Sequence, residues 1–196
     1  GGRRGRALGA MVPPPPFTSP LWLAARGGWA APGAQGAFLP FVRHVVDELG
    51  DLVDTWCTIN EPNIYATQGW IFGAMPPGRR NDVRGLWRVL GNLRLAHEAA
   101  YRVIKKRWPD APAGLAHNKY WLVPARPGNP LDRVAVQTGR RMMDFLPVGG
   151  GRMQRTVAVS SDYIGLNHYS GRLVQFDPRH PGSQFARQFN PPGYPV

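Results

Sequence analysis

Residues 55–63 read Thr55-Trp56-Cys57-Thr58-Ile59-Asn60-Glu61-Pro62-Asn63, and this stretch decides the fold. Val53, Thr55, Trp56, Thr58 and Ile59 are β-branched or aromatic, which suits a half-buried pleated strand. Pro62 cannot donate to a ladder, and it biases Glu61 toward extended backbone. The spacing therefore predicts a strand over 52–59 that ends by presenting an amide, Asn60, beside a carboxyl, Glu61.

Working outward, residues 37–49 place Phe38, Phe41, Val42, Val45, Val46 and Leu49 at helical spacing, so a helix is expected to feed that strand. A Gly/Pro-rich loop is expected over 62–84. A long amphipathic helix follows from Leu86 to Arg107, with Leu86, Val89, Leu90, Leu93, Ala96, Ala100, Val103 and Ile104 near one face. Residues 113–118 read as a short buried strand, 130–146 as a second helix with Pro130 near its start, and 162–169 as a third strand. Upstream, 1–16 reads as an irregular Gly/Arg/Pro-rich segment closing in Pro13 to Pro16, a polyproline II stretch or linker. Residues 19–29 read as a loop anchored by Trp22 and Trp29, and the end of the chain as a polar, Pro-rich tail. Helices alternating with strands imply parallel β/α units, with 17–196 as one unit. The C-terminal ends of the expected strands carry Asn60-Glu61, His117-Asn118 and Asn167-His168-Tyr169. All three are polar, as binding residues at the open face of a barrel are.

At 196 residues the chain can bury a single core. It is short for a complete (β/α)8 barrel, which typically needs about 250 residues. Gly1 in place of an initiator Met fits a fragment or a processed product. The net charge of +12 comes mainly from Arg. Those arginines are scattered, without the clustered stripe and interleaved aromatics that a nucleic-acid partner requires. Cys57 is the only cysteine, so a reducing cytoplasm is the expected setting. No run of 18 apolar residues occurs, and no membrane partner is expected.

The stretch around Asn60-Glu61-Pro62 resembles the Asn-Glu-Pro signature of family 1 glycoside hydrolases, the β-glucosidase and β-galactosidase group. The likeness extends to Pro20-Leu21-Trp22 and Gly27-Gly28-Trp29, to Asn92-Leu93 through Ala96-His97, to Ala113–Asn118, and to Tyr163-Ile164-Gly165-Leu166-Asn167-His168-Tyr169. It covers 17–176, equivalent to about the middle third of a whole enzyme. What the resemblance implies is a partial (β/α)8 TIM barrel holding strands three or four to six. It also implies a retaining hydrolysis of β-glucosides or related small saccharides that needs no metal or organic cofactor. Glu61 would be the general acid/base, Asn60 would hold the sugar 2-hydroxyl, and Asn167 and Tyr169 would orient groups at the same subsite. His97, on a helix, would pack or cap rather than react.

Two departures from the family pattern stand out. The place of a sugar-binding His before the strand-three aromatic is taken by Pro16. The retaining mechanism also needs a second carboxylate about 5–5.5 Å from the first, which the family carries in a Thr-Glu-Asn-Gly context. The three Glu residues are Glu48, Glu61 and Glu98, and that context is absent. Glu48 and Glu98 fall on expected helices, while Asp54 and Asp162 fall at the N-terminal ends of strands. The chain is therefore expected to be inactive, or nearly so, alone. The alternatives are a non-catalytic sugar-binding barrel remnant and, less favoured, a basic nucleic-acid binder.

Overall fold

The computed structural model describes residues 11–12, 19–145, 160–180 and 185–193. Pro13 to Pro16, Phe17 and the last three residues lie outside them, as does the expected position of the missing His at Pro16.

The anticipated strand forms as β2 (Thr55–Asn60), preceded by a two-residue strand β1 (Met11–Val12) within the segment read as irregular. Together with β3 (Ala113–Asn118) and β5 (Tyr163–Asn167) they make a parallel sheet in the order β1-β2-β3-β5. Trp56 pairs with Ala113 and Cys57 with Gly114; the register then shifts so that Asn60 meets Ala116. β3 and β5 run in unbroken register from Gly114↔Tyr163 to Asn118↔Asn167. Gly114 permits a close approach here. A Cβ on it would come within 2.9 Å of the Tyr163 ring, whose hydroxyl reaches over to donate to Trp56 O at 2.8 Å.

Helices α2 (Ala34–Leu49) and α4 (Val83–Arg107) pack together beside β2. Their apolar stripes supply Phe38, Val42 and Val46 from α2, and Leu86, Val89, Leu90, Leu93, Ala96, Ala100 and Ile104 from α4, to one buried core with Trp56 and Ile59. This is the burial that stabilises the sheet, about 1.5–3 kcal/mol for each large apolar side chain withdrawn from water. Asp82 caps α4 by accepting from Gly85 N at 2.8 Å, and Lys105, Lys106 and Arg107 occupy its last turn, where cations complement the helix dipole.

Several expectations are corrected. The loop expected over 62–84 begins instead as helix α3 (Pro62–Trp70), with Pro62 at its start, where a missing N–H costs nothing. Every residue of α3 except Gln68 is buried, so the helix carries no apolar stripe for periodicity to reveal. The loop expected over 19–29 contains a short helix, α1 (Leu21–Ala25), and a single 3-10 turn at Gly28–Ala30. The polar tail contains β6 (Gly171–Phe176) and β7 (Ala186–Phe189), which join β4 (Trp121–Pro124) in a second sheet ordered β4-β6-β7. β4 and β6 are parallel, as β3 and β5 are, so these two barrel strands continue past their ends as a second ladder. Helix α5 (Pro130–Phe145) packs on it through Ala135 and Val136, against Leu122, Val174 and Ala186. No helix among the described residues is long and apolar enough to cross a membrane.

Candidate active site

Because β2, β3 and β5 are parallel neighbours, their C-terminal ends form one rim. Glu61 sits there as the junction between β2 and α3. Its N–H closes the ladder onto Ala116 O at 2.8 Å, and its carbonyl accepts the first helical bond from Tyr65 N at 3.1 Å. Serving both roles turns the chain sharply, and the residue adopts φ 47°, ψ 53°, the left-handed region, rather than the extended backbone expected before a proline. A non-glycine residue held there is strained, and such strain clusters at functional sites.

Glu61 as a residue is 7% exposed, and its carboxyl is engaged by neighbouring amides. Its Oε1 accepts from Asn118 Nδ2 at 3.0 Å and from Asn167 Nδ2 at 2.7 Å. Asn167 spends its other amide proton on Asn60 Oδ1 at 3.0 Å. Asn60, Glu61 and Asn167 are thus one hydrogen-bonded cluster. Tyr169 is 70% exposed, and the Glu61 carboxylate beside it pushes its phenol above the ordinary value. All four residues singled out from the sequence meet on the rim. Asn118 was not among them, although its place at a polar strand end was the signal that could have found it. Asn63, the second residue of α3, anchors it by donating from Nδ2 to Asn118 O at 2.9 Å.

His97 is buried in α4, with Nδ1 2.5 Å from Thr58 Oγ1 and Nε2 3.0 Å from Ser161 Oγ. Thr58 Oγ1 also donates to Gly114 O at 2.9 Å, and the ring of His97 is bonded to the Ser160 backbone as well, so both of its nitrogens are engaged. Burial lowers the imidazole to about 4. His97 is a neutral strut behind the sheet, in keeping with a packing role.

Other acids are committed elsewhere. Glu98 pairs with Arg94 along α4, and Glu48 lies on an exposed part of α2. Asp162 accepts from Ala113 N and Lys105 Nζ, each at 2.9 Å, at the N-terminal end of β3. Asp132 is clasped by Arg126 and Phe176 N, which hold its carboxyl down at about 2, and Arg179 does the same for Asp177. Among the described residues no group of three His, Cys, Asp or Glu could hold a metal ion. An apolar cavity of about 550 Å³ opens beside α1 and α2, lined by Trp22, Leu23, Trp29, Phe38 and Phe41, and no rim residue borders it.

Parallel β/α units with a carboxyl at a strand tip define an α/β protein whose polar groups gather on the rim of C-terminal strand ends. Residues 15–148 match the profile of Glycosyl hydrolase family 1, and the chain belongs to that family. β-Glucosidase A of Thermotoga maritima is 29% identical over 187 residues, which cover 83% of this chain and 41% of that protein. A β-glucosidase of an Agrobacterium species is 27% identical over 85% of this chain and 40% of its own length. Among solved structures, the T. maritima β-glucosidase in complex with castanospermine superposes with a TM-score of 0.70 at 26% identity, covering 90% of this chain and 43% of that one. The AHE enzyme of Alicyclobacillus herbarius shares the fold at a TM-score of 0.77 and 22% identity, over 93% and 46%. The fold is a partial (β/α)8 barrel. The chain spans about two-fifths of the length of the curated relatives it matches, rather more than the third expected.

Proposed function

We propose that this chain carries the acid/base half of a retaining β-glycosidase site, with Glu61 as the proton donor. The observation that carries the reading is the buried residue Glu61 at the tip of β2, its carboxyl held by amides from two neighbouring strand tips. In the first half-reaction Glu61 gives its proton to the glycosidic oxygen as that bond breaks. In the second, the ionised carboxylate takes a proton from the water that releases the sugar. Asn60 binds the 2-hydroxyl, Asn167 keeps Asn60 and Glu61 in fixed relation, and Tyr169 lines the subsite. The substrate is a β-glucoside or related small saccharide, and the chemistry calls on carboxyl groups alone.

The covalent step belongs to a second carboxylate, which the family carries in a Thr-Glu-Asn-Gly context that these 196 residues lack. We therefore expect the chain to be nearly inactive alone. An aryl β-glucoside assay tests this, and clear turnover abolished by Glu61→Gln would overturn it. Sugar binding without hydrolysis is the second reading, favoured by a rim built from three amides and a phenol, groups that suit hydroxyls. Calorimetry with glucose, alongside the same assay, separates the two. Cys57, buried in β2 with its thiol pushed up to about 11 by burial, fits a reducing cytoplasm.

A further inference from the structure

The two amides on Glu61 do more than hold it. An ionised carboxylate oxygen has about two lone-pair directions, and an amide NH2 can only donate to them. Asn118 and Asn167 both direct Nδ2 at the same oxygen, Oε1. A proton placed on Oε1 would displace one of them and strand a buried N–H without an acceptor.

Asn118 is not at liberty to swing away. It is 1% exposed, and its main chain is clasped by Asn63, which donates from Nδ2 to Asn118 O at 2.9 Å and accepts from Asn118 N at 3.4 Å. Its own Oδ1 is buried with no hydrogen-bond partner among the described residues. Turning the amide over would set that oxygen against the carboxylate oxygen, acceptor against acceptor, so the network assigns Nδ2 to the Glu61 side.

We propose that Asn118 is a positioning residue for Glu61: with Asn167 it fills Oε1 with donors, so that the proton Glu61 exchanges is carried on Oε2. The inference rests on reading Glu61 as the acid/base. It identifies which oxygen must face the glycosidic bond, and it gives the polar tip of β3 a defined part in the reaction. A leaving-group oxygen is protonated from Oε2, while Oε1 stays bonded to the rim in both half-reactions.

The test is side-chain NMR on the full 196-residue chain. With asparagine labelled at Nδ2, the Asn118 NH2 signals are expected to move, and to exchange faster with solvent, when Glu61→Ala removes their acceptor. They are expected to remain protected from exchange when wild-type Glu61 is protonated by acid, because Oε1 remains an acceptor. With glutamate labelled at the carboxyl carbon, three signals arise, from Glu48, Glu61 and Glu98. Asn118→Ala is expected to shift only that of Glu61. Should the alanine variant unfold, the isosteric Asn118→Asp serves, and its negative charge is expected to move the Glu61 signal further. Asn118 NH2 signals indifferent to Glu61→Ala would overturn the proposal, as would their collapse on acidification, which would put the proton on Oε1. A residue that merely held the fold would leave the Glu61 carboxyl signal unmoved. These signals require no turnover, so they are readable in a chain that does not hydrolyse glycosides, while the acid/base reading falls separately if Glu61→Gln slows a completed barrel equally on both kinds of leaving group.

Discussion

Asn167 Nδ2 lies 2.7 Å from Glu61 Oε1, though 106 positions separate the two residues along the chain. The contact exists because β5 and β2 flank β3 in one parallel sheet, which aligns their C-terminal ends. Removing it also strips Asn60 Oδ1 of its donor. Asn167→Ala is therefore expected to weaken binding of castanospermine, the ligand bound by the T. maritima relative, by about tenfold, the worth of one hydrogen bond. Titration calorimetry on the two proteins checks this, and equal affinities would remove Asn167 from the sugar site.

Glu61→Gln separates chemistry from folding. The substitution keeps size and an acceptor oxygen while removing an ionisable group from a buried position, so thermal stability is expected to hold or rise slightly, as it does when active-site constraints are relaxed. Any glycosidase activity of a completed barrel is expected to fall by about 10²–10⁴-fold on substrates whose leaving group needs a proton. Activity on a dinitrophenyl glycoside, whose leaving group needs none, should fall far less in the bond-breaking step. Equal losses on both would argue against an acid role.

The His97 strut makes stability depend on pH. Its folded value of about 4 lies below the ordinary 6.5, so the unfolded chain binds the proton more readily. The stabilisation is whole above pH 6.5, shrinks as pH falls toward 4, and is gone below that. The full span is on the order of 3 kcal/mol, from 1.36 kcal/mol per unit. Urea unfolding at pH 7 and pH 4.5 measures it, and His97→Gln is expected to flatten the difference. An unchanged slope in that variant would assign the pH dependence to other groups.

Burial separates two leucines of similar chemistry. Leu93 is 2% exposed in the main core, and Leu93→Ala is expected to cost about 2–5 kcal/mol in urea unfolding. Leu166 is 63% exposed, on a strand whose one neighbour among the described residues is β3. Leu166→Lys is expected to change stability by less than about 0.5 kcal/mol while reducing concentration-dependent self-association, since exposed apolar edge strands invite pairing. Light scattering against concentration reads the second effect. Undiminished association would place the sticky surface elsewhere.

The elements most legible in the sequence were those whose burial is one-sided or whose run is short and wholly apolar. The α4 stripe and the β-branched run of β2 declared themselves, because a helix against a sheet repeats its apolar residues every three or four positions. α3 did not, because Ile64, Tyr65, Ala66, Thr67 and Trp70 are all inside and leave no period. β6 and β7 were missed for a related reason. Their pairing joins residues such as Leu173 and Phe189 across a turn and packs only Val174 and Ala186 fully, too few buried positions to mark a strand.

The sequence by itself determined the family, the β2 strand and the four polar residues Asn60, Glu61, Asn167 and Tyr169, because these are local matters of residue type, order and motif. Only the tertiary structure decided how those residues act on one another. Adjacency of parallel strands brings Asn118 and Asn167 to the same carboxyl oxygen. The join of β2 to α3 forces Glu61 into left-handed backbone against the bias of the proline after it. Hydrogen bonds across 57 and 106 positions of chain depend on sheet order and register, which no local pattern encodes.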